Sequence, residues 1–152
     1  MEIYERNINA NVRRVDDDHI ITKASLLDLN HSIRVEIKVR ISDRTIIEAS
    51  AAMVKTPFQI CFETARFAEN MKGLKIERGV TKKVANLLGR SSGCTHIYEL
   101  AIEAVRLSSN VMLGFSTGDV EWRERKLSDE EFINRAKGFL ANSCLPFKVE
   151  TN

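Results

Sequence analysis

The sequence predicts an α+β domain in which an antiparallel sheet is followed by helices packed on one of its faces. Three observations carry this. Ser32 to Ile41 alternates apolar and charged residues strictly, whereas Phe58 to Met71 and Ile97 to Leu107 recur at helical spacing. The strand-like segments also all precede the helix-like ones, where a doubly wound parallel fold would interleave them. The chain has 152 residues, 43% of them hydrophobic, with 7 Gly and 2 Pro. That length suits a single domain, and the composition excludes disordered and collagen-like chains. The expected organisation is an N-terminal arm over 1–18, a core over 19–112, and a C-terminal loop and helix over 113–152.

Residues 1–18 are polar, lack a helical stripe and carry Asp16-Asp17-Asp18, which reads as an arm leading into a turn. A β-rich run follows from His19 to Leu29, with Ile20, Thr22, Ala24 and Leu26 on one face, and Leu29-Asn30-His31 makes a turn. In the next strand Ile33, Val35, Ile37, Val39 and Ile41 face one way and Arg34, Glu36, Lys38 and Arg40 the other. After Ser42-Asp43-Arg44, Thr45 to Met53 resumes with Ile47, Ala49, Ala51 and Met53 on one side. These segments predict a three-stranded meander with one covered face.

The cover is helical. Thr56-Pro57 is a start signal, a hydroxyl cap and then a proline whose missing N–H costs nothing. Phe58, Cys61, Phe62, Ala65, Ala68 and Met71 form the stripe, and Gly73 closes the helix. Thr81 to Leu88 makes a shorter helix, and Arg90-Ser91-Ser92-Gly93 leads into a long one from about Cys94 to Asn110, striped by Ile97, Leu100, Ala101, Ala104 and Leu107. Gly114 to Gly118 is expected to be a loop and Val120-Glu121-Trp122 a short edge strand. Ser128-Asp129-Glu130-Glu131 is a capping box opening a last helix that turns Phe132, Ala136, Phe139 and Leu140 inward.

Charge narrows the function classes. Lys+Arg total 23 against 21 Asp+Glu, and basic clusters such as Arg13-Arg14 are answered by nearby acids, so no nucleic-acid footprint is expected. No apolar run reaches the roughly 20 residues that cross a bilayer, and the first residues lack a secretion-signal pattern. The expectation is a cytoplasmic protein whose three cysteines are thiols or metal ligands. Walker, Rossmann, Gly-x-Ser-x-Gly and His-Glu-x-x-His patterns are missing.

What remains is a set of thiols and imidazoles. Gly93-Cys94-Thr95-His96 opens a helix, where free N–H groups favour a thiolate, and the glycine allows a ligand close to the backbone. Cys61 lies near the start of the other long helix. If both helices cover one sheet face, Cys61, Cys94 and His96 form a candidate site for zinc or an iron–sulfur cluster. The alternative for the same residues is catalytic, with Cys94 as nucleophile and His96 or His31 as base. Turn His31, His19 and near-terminal Cys144 carry weaker signals. A third reading is a non-catalytic module using the Gly114–Trp122 loop or the wet face of the sheet.

The run Arg14, Asp17-Asp18, Leu27-Asp28, His31, Lys55-Thr56-Pro57-Phe58-Gln59-Ile60-Cys61, Met71-Lys72-Gly73-Leu74-Lys75-Ile76, Leu88-Gly89 and Gly93-Cys94-Thr95-His96-Ile97-Tyr98-Glu99-Leu100 resembles the bacterial family called domain of unknown function 2889. The likeness covers roughly Val12 to Asn110 and extends to Asn142-Ser143-Cys144; the family name implies no activity. In layout the chain is also similar to iron–sulfur scaffold proteins of the NifU type, a NifU/SufE-like arrangement. That similarity implies Cys61 as the first ligand cysteine and Cys94 as the last, with no counterpart to the middle one. The partner class left open is an unknown small molecule or protein.

Overall fold

The computed structural model describes residues 1–149, apart from the side chain of Ser92. Four antiparallel strands, β1 (Arg6–Arg14), β2 (His19–Asp28), β3 (Ser32–Arg40) and β4 (Thr45–Lys55), form one sheet in the order β1-β2-β3-β4. The meander therefore has four strands, not three, and the expected arm supplies the fourth. Ile8, Ala10 and Val12 lie opposite Leu26, Ala24 and Thr22 and share their face, with Asn7, Asn9 and Asn11 between them. An edge strand with one neighbour needs only this short apolar row, so its polar composition hides its period. The acidic run ties the next turn. Asp16 Oδ1 accepts from Asp18 N–H, while the Asp18 carboxylate takes the Ser42 N–H and hydroxyl.

Ile20, Ala24, Leu26, Ile33, Val35, Ile37 and Val39 are buried on the covered face, as the alternation predicts. In β4 the alternation slips. Lys38 pairs with Glu48 but Val39 pairs with Ile46, a bulge that inserts one residue. Ile46 is therefore fully buried, and Ile47, expected on that face, is only half-buried.

The segment after β4 is a 3₁₀ helix, Gln59–Met71, and not the expected α-helix. Thr56 does not cap it; its hydroxyl donates to the Phe58 carbonyl, and Phe58 precedes the first turn without a side-chain cap. Ala68 and Met71 are buried, Cys61, Thr64 and Ala65 are half-buried, and Phe62 is exposed. Phe58 and Phe62 are exposed, contrary to the helical stripe. Helix α1 (Val80–Leu88) buries Val80, Val84 and Leu88, one every turn.

Helix α2 spans Thr95–Thr117 and buries Ile97, Leu100, Ala101 and Ala104. Its hold on the sheet includes a buried hydroxyl pair, Thr22 Oγ1 to Ser108 Oγ at 2.6 Å, with Ser108 donating onward to the Ala104 carbonyl. It runs through the expected loop because Gly114 through Thr117 stay helical. The chain breaks only at Gly118, whose φ of +83° few other residues adopt. Val120-Glu121-Trp122 is accordingly not a strand but part of a short helix, α3 (Asp119–Arg123).

The chain forms two compact units, Met1–Ser109 and Asn110–Asn152, divided within α2. In the second, α4 (Asp129–Leu140) opens on the expected capping box: Ser128 Oγ accepts from the Glu131 N–H and the Glu131 carboxylate accepts from the Ser128 N–H. Ala136 is buried there, Trp122 stacks on Phe132 at 4.8 Å, and Phe139 is exposed instead of inward. No helix among the described residues is long and apolar enough to cross a membrane.

The bulge yields a paired test by denaturant unfolding. Ile46→Ala is expected to cost about 3 kcal/mol, as for a fully buried isoleucine, and Ile47→Ala less than about 1.5.

Candidate functional site

The β2–β3 hairpin closes through Asp28-Leu29-Asn30-His31. Asp28 N–H donates to the His31 carbonyl at 3.0 Å, but the return bond goes to a side chain. Asp28 Oδ1 accepts the N–H groups of Asn30 and His31, each at 2.8 Å, and the His31 ring nitrogen Nδ1 lies 2.9 Å from the same oxygen. The other oxygen is taken by Arg6, whose Nε and Nη2 are both 2.9 Å from Oδ2. Register explains this contact: Arg6 is the cross-strand neighbour of Asp28, so both side chains leave the same face.

The Asp28 side chain has no solvent exposure. Burial alone would raise its pKa, but the bonds from Asn30, His31 and Tyr4 outweigh that and hold the carboxyl well below the usual carboxylate range. Asp28 is therefore an anion and an acceptor only. In the neutral ring of His31 the proton then sits on Nδ1, and Nε2 carries the lone pair.

The first turn of α2 completes the cluster. His96 stands 4.0 Å from His31 between ring centroids, the planes tilted by 43°. Its Nε2 is 3.4 Å from Arg6 Nη2, a long contact in which the guanidinium donates, so the neutral His96 ring holds its proton on Nδ1. Burial first, then His31 and Arg6, lowers the His96 pKa from its ordinary 6.5. One turn on, Glu99 Oε2 lies 3.9 Å from Arg6 Nη1, too far for a hydrogen bond.

Of the residues expected to carry chemistry, the structure brings His96 and His31 together. His31 is buried, not turned to solvent. Cys94 is half-buried just before α2, its carbonyl accepting from Tyr98 N–H and its N–H donating to the Leu88 carbonyl. Gly93 serves that loop and not a ligand, since a Cβ there would stand 2.0 Å from the Leu88 oxygen. No hydrogen bond joins the Cys94 thiol to either histidine among the described residues. Cys61 is half-buried in the 3₁₀ segment, Cys144 is exposed, and all three cysteines are free. Among the described residues no group of three or more His, Cys, Asp or Glu side chains is placed to hold a metal ion, so Cys61, Cys94 and His96 are not gathered into one. His19 makes a local pair with Asp16.

Sequence reasoning missed Asp28, Arg6 and Glu99. The signal for Asp28 was its spacing, three residues before His31 across a tight turn. Arg6 was hidden inside the segment expected to be an arm. Glu99 lay one turn beyond His96 on a helix that was recognised.

A family model described as protein of unknown function (DUF2889) matches residues 12–108, and the chain belongs to that family. No curated protein and no solved structure matches the chain. The matched span includes Asp28, His31, His96 and Glu99; Arg6 lies before it.

Both lowered pKa values have the same sign for stability. A group whose folded pKa is depressed stabilises the fold above its unfolded pKa, and that contribution is lost as pH falls. His96 gives up its share as pH falls from about 6.5 toward its lower folded pKa, and Asp28 gives up its own only below about 4. Thermal unfolding followed from pH 7.5 to 3 is expected to show falling stability. In His96→Gln the slope between pH 7 and 5.5 flattens, while the loss below pH 4 stays.

Proposed function

We propose that this domain is a small acid–base enzyme in which His31 moves a proton for a small polar substrate. The observation that supports it is the Asp28–His31 pair at 2.9 Å, an ionised buried carboxylate orienting an imidazole so that Nε2 is its basic nitrogen. A proton leaves a substrate C–H, O–H or N–H for Nε2, and the imidazolium so formed is stabilised by the Asp28 carboxylate. The same proton is then returned to a second substrate atom or a leaving group, so isomerisation, elimination and hydration are the reaction classes that balance. Neutral His96 beside it keeps an Nδ1–H to donate to an oxygen that gains charge.

Cys94 as nucleophile is the weaker form of this reading, because neither imidazole is bonded to its thiol. The zinc or iron–sulfur reading of Cys61, Cys94 and His96 draws no support from the donor arrangement.

The test needs no prior substrate. A defined mixture of small metabolites in deuterated buffer is incubated with the protein and followed by NMR for turnover or hydrogen–deuterium exchange. Wild type is expected to change at least one compound, and His31→Gln, shown to be folded by circular dichroism, to slow that change by about 10² to 10⁴. A mixture left untouched by wild type, or changed equally by His31→Gln, contradicts the proposal.

A further inference from the structure

A groove of about 350 Å³ runs along β1 and α2, lined by Arg6, Ile8, Tyr98, Glu99, Ile102, Glu103 and Arg106. Its size is at the small end for ligand sites. Glu99 is the irregular feature. Its side chain is 40% exposed as a whole, yet Oε2 is sealed from solvent and has no hydrogen-bond partner. A buried polar atom left without a partner is costly, and the nearest cation does not relieve it. Arg6 points Nε and Nη2 at Asp28 and Nη2 also at His96, and its Nη1 stops 3.9 Å short of Glu99.

We propose that the groove binds a small primary amine, its ammonium group received by the Glu99 carboxylate and its hydrocarbon lying along Ile8 and Ile102. Charge decides the class. Asp28 neutralises Arg6, so the Glu99 carboxylate is left with no hydrogen-bond donor of its own. Arg106 and Glu103, 3.9 Å apart, offset each other in charge, so an anionic ligand would meet the remaining Glu99 carboxylate. A neutral hydroxyl supplies a donor but no charge. The last torsion of a glutamate is broad, so turning the carboxylate presents Oε2 to a donor in the groove. Arg6, which lines the groove, also contacts His96, so the ammonium end of a bound amine is the end nearer the imidazoles. This inference names a substrate class for the proposed enzyme and rests on that reading for its catalytic meaning.

Binding is measured on the full chain by isothermal titration and by amide shift mapping, with n-pentylamine, n-pentanol and pentanoate as probes at pH 7.5. Pentylamine is expected to bind at least tenfold more tightly than either other probe, with shifts centred on Tyr98 to Arg106. Glu99→Gln should weaken pentylamine at least tenfold and leave pentanol unchanged, with Glu99→Asp as the second variant retaining part of the preference. Pentylamine binding no tighter than pentanol, or binding indifferent to Glu99→Gln, overturns the inference. His31→Gln separates the two proposals. Amine binding that survives in a protein whose turnover ignores His31 supports the groove and sinks the enzyme, whereas turnover that needs His31 without amine selectivity sinks the groove alone.

Discussion

A carboxylate with no exposure to water must find its donors inside the protein, and Asp28 finds them on two separate pieces of chain. The turn supplies two backbone N–H groups and an imidazole, and β1 supplies a guanidinium. Through that guanidinium the same anion reaches His96 on α2. Burying an unpaired charge is prohibitive, so these contacts are conditions for the hairpin to close as it does. The juxtaposition of two histidines 65 positions apart follows from them, because one ring is bonded to Asp28 and the other rests against Asp28's partner.

Much of the sheet was legible because binary alternation is a direct consequence of strand geometry, and the run from Ile33 to Val39 could be read in only one way. The bulge in β4 was not, since two consecutive isoleucines give alternation no means of choosing between Ile46 and Ile47. Neither was β1, whose apolar row of Ile8, Ala10 and Val12 is diluted by three asparagines. The helical period misleads in the segment after β4. There Phe58 and Phe62 match a 3.6-residue stripe, yet the segment is a 3₁₀ helix and both aromatic rings are exposed. At the other end, local chemistry was reliable where it was reciprocal, as in the Ser128–Glu131 box. It failed where single residues stood for an element, as with the glycine at 114 and the valine and tryptophan of α3.

The site divided along the same line. His96 was visible from its place at a helix start, and His31 as a turn residue, but what joins them is a cross-strand pair between Arg6 and Asp28 that becomes apparent only once register is known. Cysteine drew attention because its chemistry is conspicuous. The structure instead joins an aspartate, an arginine and two imidazoles in one cluster. Gly93 illustrates the shift. Its missing side chain looks like room for a ligand, and it is in fact room for the Leu88 carbonyl.

Asp28 sets the proton of His31. Two-bond ¹H–¹⁵N correlation spectra of uniformly labelled protein, recorded where the ring is neutral, report that proton directly. Free imidazole side chains prefer to carry it on Nε2. His31 is expected to show the opposite tautomer, protonated at Nδ1, and to lose that preference in Asp28→Asn. A neutral His31 protonated at Nε2 in the unaltered chain would contradict the account.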